Sequence, residues 1–184
     1  LSGTNTYTGD TTISDGTVKL TGSLDTATDL IIGSNGTLDL QAAQTFATLT
    51  LNGAISNTAG TSSLVISGAA SMQGTAATTG TQTYSGAVTL TDTTTITTSS
   101  AKVTFAAAAT ISSQEGETNN LTINASEVEF NGAIGGIGVI DINANLDLDA
   151  AITNATSIDV SGTSNLGANV TTSGTQTYTG AVTL

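Results

Sequence analysis

The sequence predicts an all-β chain wound as a parallel β-helix, a β-solenoid with three short strands per coil and about 18–20 residues in each coil. Three observations carry that expectation. Short strokes such as "LTINA", "VEF", "IDINANLDLD" and "SIDVSG" alternate apolar with polar residues, the two-residue period of a strand whose faces meet different surroundings. The strokes also recur at constant spacing: Ile142, Val160 and Tyr178 are each 18 apart, as are Phe130, Leu148, Leu166 and Leu184, and Ile134, Ile152 and Val170. Finally, 21 glycines, no proline and a background of Thr, Ser, Ala, Asn, Val, Ile and Leu make a β composition.

Taken in chain order, the first coils have looser spacing, with Tyr7/Ile13/Leu20, Ile32/Leu38, Leu51/Ile55 and Ile66/Met72 as inward sets. Residues 81–100 and 101–120 then read as two coils of 20, followed by three coils of 18 up to residue 174. The alanines 106–109 are too few for a helix and read as packed strand and turn. Asn35-Gly36, Asn52-Gly53 and Asn131-Gly132 are expected to supply left-handed corners. Such pairs also favour hairpins, but a hairpin stack would not return equivalent residues to one column every 18 positions. Gln82 and Gln176 fall in the column of Ile140 and Ile158, so either a buried amide finds partners or the register slips there. With each coil adding about 4.8 Å, some nine and a half coils make a rod of roughly 45 Å.

The phrase G-T-x-T-Y-[TS]-G appears at residues 3–9, 80–86 and 174–180, and the last two starts lie 94 apart. The chain therefore reads as one solenoid segment, 1–184, carrying a 94-residue repeat that starts near 81 and restarts near 175. The first residue is Leu, with no basic-then-apolar leader, and the column ending at Leu184 still calls for a coil above it. These features lead us to expect a piece of a longer precursor that continues into further repeats or self-associates end to end.

Charge and composition narrow the partners. The net charge is −12 and the only cations are Lys19 and Lys102, so the basic stripe that nucleic acid requires is missing. An anionic membrane surface is disfavoured for the same reason, and no apolar run approaches the ~18 residues of a spanning helix. Without Cys or His there are no disulfides, thiolate or imidazole metal ligands, and no Ser/His or Cys/His nucleophile pairs.

The opening "GTNTYTGDTTISDGTVKL" resembles the strand repeat of autotransporter passenger domains. From residue 78 onward, "TTGTQTYSGAVTL", "VTF", "LTINA", "EFNGAIG" and "VTTSGTQTYTGAVTL" resemble the long repeats of filamentous-haemagglutinin-like proteins of bacterial surfaces. The resemblance implies a right-handed β-helix, export across an outer membrane to the cell surface, and a shaft-like or adhesive role. A host or glycan surface would be the partner in the adhesive case.

The carboxylates are the reactive groups that cluster. Asp141/Asp159 and Glu129/Asp147 are each 18 apart, which stacks each pair outward on adjacent coils about 4.8 Å apart. That separation is near the ~5–5.5 Å of a retaining glycosidase pair. Against an enzyme stand the absence of Arg and His and the expected inward placement of Tyr7, Tyr84, Tyr178, Phe46, Phe105 and Phe130, which leaves no platform for a sugar ring. Asp141, Asp147, Asp149 and Asp159, with Asn143 and Asn145, form instead a candidate Ca²⁺ set, since calcium takes six to eight oxygens. A solvated acidic face explains the same residues, and its stacked like charges are expected to gain stability from salt or lower pH. An ice-binding threonine ladder is interrupted, because its column reads Thr122, Asp141, Asp159, Thr177. Residues 113–120, "SQEGETNN", are the best candidate for a loop that breaks the rhythm.

Overall fold

A computed structural model describes residues 1–184 as 20 strands without a helix, paired in parallel and stacked in about nine turns of about 19 residues. Three faces result. The first stacks Leu30, Leu49, Ala70, Val88, Ile111, Ile134, Ile152 and Val170. On the second, Leu38, Ile55, Ala76, Ile96, Ile123, Ile142, Val160 and Tyr178 lie in line. The third carries Phe46, Ile66, Tyr84, Phe105, Phe130, Leu148 and Leu166. No single coil can shield its own inward side chains, so the columns bury one another, and all 39 buried hydrophobic residues form one cluster.

The 18-residue columns occur as the sequence spacing requires. Leu148 is fully buried between Phe130 and Leu166, and Asp141 pairs directly with Asp159. The strand Val182–Thr183 extends the third face over Ser164–Leu166, with Leu184 next in line and 97% exposed. Rings stack where columns are aromatic: Tyr84, Phe105 and Phe130 have successive centroids 5.1 Å apart, close to the strand spacing itself.

Four expectations require correction. Tyr7 is 43% exposed, because it lies in the first coil with a neighbouring coil on one side only. The coils after residue 81 are not two of 20. Val88 pairs with Ile111 and Ile111 with Ile134, steps of 23 that accommodate the turn at 106–110 and the loop at 113–120. The two copies of G-T-Q-T-Y consequently occupy different faces, Tyr84 on the third and Tyr178 on the second, so 94 residues span four and two-thirds coils. Gln82 therefore pairs with Leu64 and Val103, whereas Gln176 does share the column of Ile158.

The Asn-Gly corners form the fourth correction. The left-handed glycines are Gly3, Gly16, Gly60, Gly74, Gly116 and Gly136, so Gly36, Gly53 and Gly132 are not among them. These three are required by closeness instead: a Cβ on Gly36 would lie 2.2 Å from the Ile13 carbonyl oxygen, and one on Gly53 2.2 Å from that of Gly36. At Gly132 the clash would be with Ala109. Adjacent coils touch backbone to backbone at these bends.

Candidate functional site

The outward side of the third face holds the densest polar constellation. Strand Lys102–Phe105 pairs with residues 127–130, and these pair with 145–148, so alternation sends Lys102, Thr104, Glu127, Glu129, Asn145 and Asp147 outward. Lys102 Nζ reaches Glu127 Oε1 and Glu129 Oε2, each at 2.8 Å. Hydrogen bonding to these two carboxylates raises the Lys102 pKa to about 12. The same contact with Lys102 holds Glu129 below the ordinary carboxylate range, against the opposing effect of desolvation. Both partners thus shift in the direction of a formed ion pair. Exposure limits its energetic weight, because paired surface charges typically contribute about 0–1 kcal/mol.

Carboxylate oxygens of Glu129, Asp147 and Asp149 lie within 4.8 Å of one another. The structure therefore unites two of the four calcium candidates, Asp147 and Asp149, with Glu129. Asp141 and Asp159 belong to the second face, because the strand Val139–Leu148 bends between its two pairing segments and carries Asp141 and Asp147 onto different sides. The four-carboxylate set is accordingly two separate groups. Asp147 Oδ1 accepts from Asn165 Nδ2 at 2.8 Å, and Asn145 Oδ1 accepts from the Thr163 amide and hydroxyl, each at 3.0 Å. On the other face Asn143 Nδ2 donates to Asp141 Oδ1 at 3.3 Å and to Asn124 Oδ1 at 3.1 Å. The Glu129/Asp147 ladder is thus not a plain column of repelling charges, since one member is neutralised by Lys102 and the other is amide-bonded.

Above this cluster a shallow trough runs between two outward columns, lined by Glu127, Asn145, Asp147, Thr163, Asn165 and Thr183. It offers amides, hydroxyls and carboxylates but no aromatic ring. Tyr7, whose exposure removes part of the case against a sugar platform, lies at the opposite end of the rod. The 113–120 loop is mostly exposed and closes on itself: Asn119 bonds Glu117, Ser113 and the Leu90 carbonyl.

Of two buried polar centres, one escaped the sequence reading and the other was left open by it. Asp39 is 5% exposed although its place in the ladder, between Lys19 and Ser56, is outward. Its carboxylate accepts from the Thr58 amide at 2.9 Å, the Thr58 hydroxyl at 2.6 Å and Gln41 Nε2 at 2.7 Å. Burial raises its pKa, but the bonds from Thr58 and Gln41, with the charge of Lys19, outweigh this and lower it. Only the folding of residue 58 over residue 39 creates this site, so no local motif marks it. The second centre is Gln82, fully buried: Nε2 donates to the carbonyls of Ala76 and Thr97 at 3.0 Å and to Thr78 Oγ1 at 3.1 Å, while Oε1 accepts from the Tyr84 hydroxyl at 2.8 Å. The amide has found its partners, on the third face and not in the column of Ile140 and Ile158.

Comparison with known protein families, with characterised proteins and with solved structures finds no match to this chain.

Proposed function

We propose that this chain is a structural segment, a stalk or filament shaft, of a secreted bacterial surface adhesin or fibre protein. The observation that carries the reading is the single unbroken core of 39 buried hydrophobic residues running through the stacked coils. A rod of this kind holds two points apart at a fixed distance, about 4.8 Å per coil. Parallel pairing joins every coil to its neighbours by backbone ladders, so tension applied along the axis is shared among many bonds in each coil. The resemblance of the G-T-x-T-Y-[TS]-G phrases to passenger and haemagglutinin-like repeats supports the bacterial surface as its place. A chain without cysteine also needs no thiol chemistry to fold outside the cell.

One observation favours a second reading, a glycan-binding module: the trough lined by Asn145, Asp147, Thr163 and Asn165 presents polar groups in two parallel rows. A glycan array with the 184-residue chain separates the two. The shaft reading expects no saturable binding. Binding abolished by Asn165→Ala would replace it with the adhesive reading.

A further inference from the structure

The 113–120 insertion in the middle of the rod is fastened at its base and free at its tip. On one side the Gln114 amide donates to the Leu90 carbonyl at 2.8 Å, joined there by Asn119 Nδ2 at 2.9 Å. On the other, the Gly138 amide donates to Asn119 O and the Val139 amide to Asn120 Oδ1, both at 2.8 Å. Residues 115–118 between these anchors are exposed and make no hydrogen bond to another coil. The one backbone bond of the tip is a turn, from the Glu117 amide to the Gln114 carbonyl at 3.0 Å. Gly116 has φ +85 and nothing within 4 Å of the place a Cβ would take. Exposed tips with so few bonds open locally at small cost and are where proteases enter folded chains.

We propose that the Glu115–Gly116 bond is a processing site for an endoprotease that cleaves after glutamate, and that the cut rod stays in one piece. The chain has four glutamates. Glu127 and Glu129 lie in a strand paired on both sides, and both hold Lys102. Glu117 is tied by its amide to Gln114 and by its carboxylate to Asn119. Glu115 makes no bond within the chain, so its carboxylate is free to enter a basic specificity pocket. Hydrolysis adds water across the bond: the oxygen joins the Glu115 carbonyl carbon, the C–N bond breaks, and Gly116 leaves with the proton. The products are an α-carboxylate and an α-ammonium, both at an exposed corner, so no charge is buried. All three faces then bind the two pieces together. Ile111–Ser112 of the first piece pairs with Ile134–Gly135 of the second. Residues 121–124 and 127–130 of the second pair with 94–97 and 102–105 of the first. Inward, Ile111 meets Ile134, Ile96 meets Ile123, and Phe105 stacks on Phe130 at 5.1 Å across the division.

The test is limited digestion of the 184-residue chain with a glutamate-specific endoprotease in native buffer. Mass spectrometry locates the first cut, and size-exclusion chromatography with light scattering compares the product with the uncut chain. The first cut should fall after Glu115. The product should show two fragments in denaturant but a single particle of the parent size in native buffer, with the β circular dichroism of the parent. Glu115→Gln should be cut at least about tenfold more slowly, because the pocket that pairs with a carboxylate loses its partner, and Glu117→Gln should be cut at the parent rate. No cleavage, a first cut after Glu117, Glu127 or Glu129, or fragments that separate in native buffer would overturn the proposal. Protection by Glu117→Gln with Glu115→Gln cut normally would do the same. None of these outcomes disturbs the shaft reading, which the glycan array decides.

Discussion

Gln82 and Gln176 show how one residue type in one motif meets different fates. Both make the same local bonds, yet only Gln82 has a coil above it and is fully buried. Truncating it would leave the Tyr84 hydroxyl and the Ala76 and Thr97 carbonyls without this partner, so Gln82→Ala should destabilise by about 1–3 kcal/mol in denaturant unfolding, and Gln176→Ala by clearly less. Ser164 presents the opposite case. It lies in the inward column of Val128 and Leu146, 2% exposed, with its hydroxyl unpartnered. Ser164→Ala should therefore leave stability unchanged or raise it by up to about 1 kcal/mol. Asp39 fixes the acid response of its corner. Its folded pKa is lowered, so its contribution is fully present above the unfolded value near 4 and is lost as pH falls through the folded value. Glu129 acts with the same sign through Lys102. Both oppose the gain in acid expected from plain charge ladders. The melting-temperature gap between the parent and Asp39→Asn should be widest at neutral pH and close below about pH 4; a gap that widens in acid would contradict the assignment.

At the scale of the element, strands were legible and corners were not. An inward residue at every second position makes a strand visible in any short window, which is why Ile142, Val160 and Leu148 sit where their spacing places them. A corner is defined by what passes beside it. Asn52-Gly53 looks like a left-handed turn in isolation, yet Gly53 is needed because the Gly36 carbonyl of the coil below occupies the space of its side chain. Gly16 differs, having φ +73 and open space around it. The coil lengths failed for a related reason: alternation sets the strands, but the insertions at 106–110 and 113–120 lengthen corners without disturbing any stroke. The acidic cluster was half legible, since Glu129 and Asp147 follow from the column spacing, while Lys102 reaches Glu129 across a step of unequal length. The glycines provide the test. Gly53→Ala should be the most destabilising, Gly16→Ala should cost about 1 kcal/mol for its backbone conformation, and Gly9→Ala, with free space and no positive φ, should be close to neutral. Equal effects at all three would show that closeness between coils is not what selects glycine.

Over the whole molecule the core is continuous but the contacts are between neighbours, so stability approximates a sum of coil terms and interfaces. The aromatic run Tyr84, Phe105, Phe130 is where an interface is most concentrated, with both rings of each pair fully or almost fully buried. Phe105→Ala removes the middle ring and should cost about 3–5 kcal/mol. Its effect must depend on the rings it touches. Combined with Phe130→Ala the loss should fall short of the sum of the single losses, because the contact between the two rings is counted in both. Combined with Ile32→Ala the losses should add, because the coils carrying Leu51 and Met72 lie between the coil of Ile32 and that of Phe105. Equilibrium unfolding of the three single variants, the two double variants and the parent measures both couplings, provided the transition remains two-state. Strong coupling between Ile32 and Phe105 would mean that strain spreads along the rod, contrary to a stack joined only through neighbouring coils.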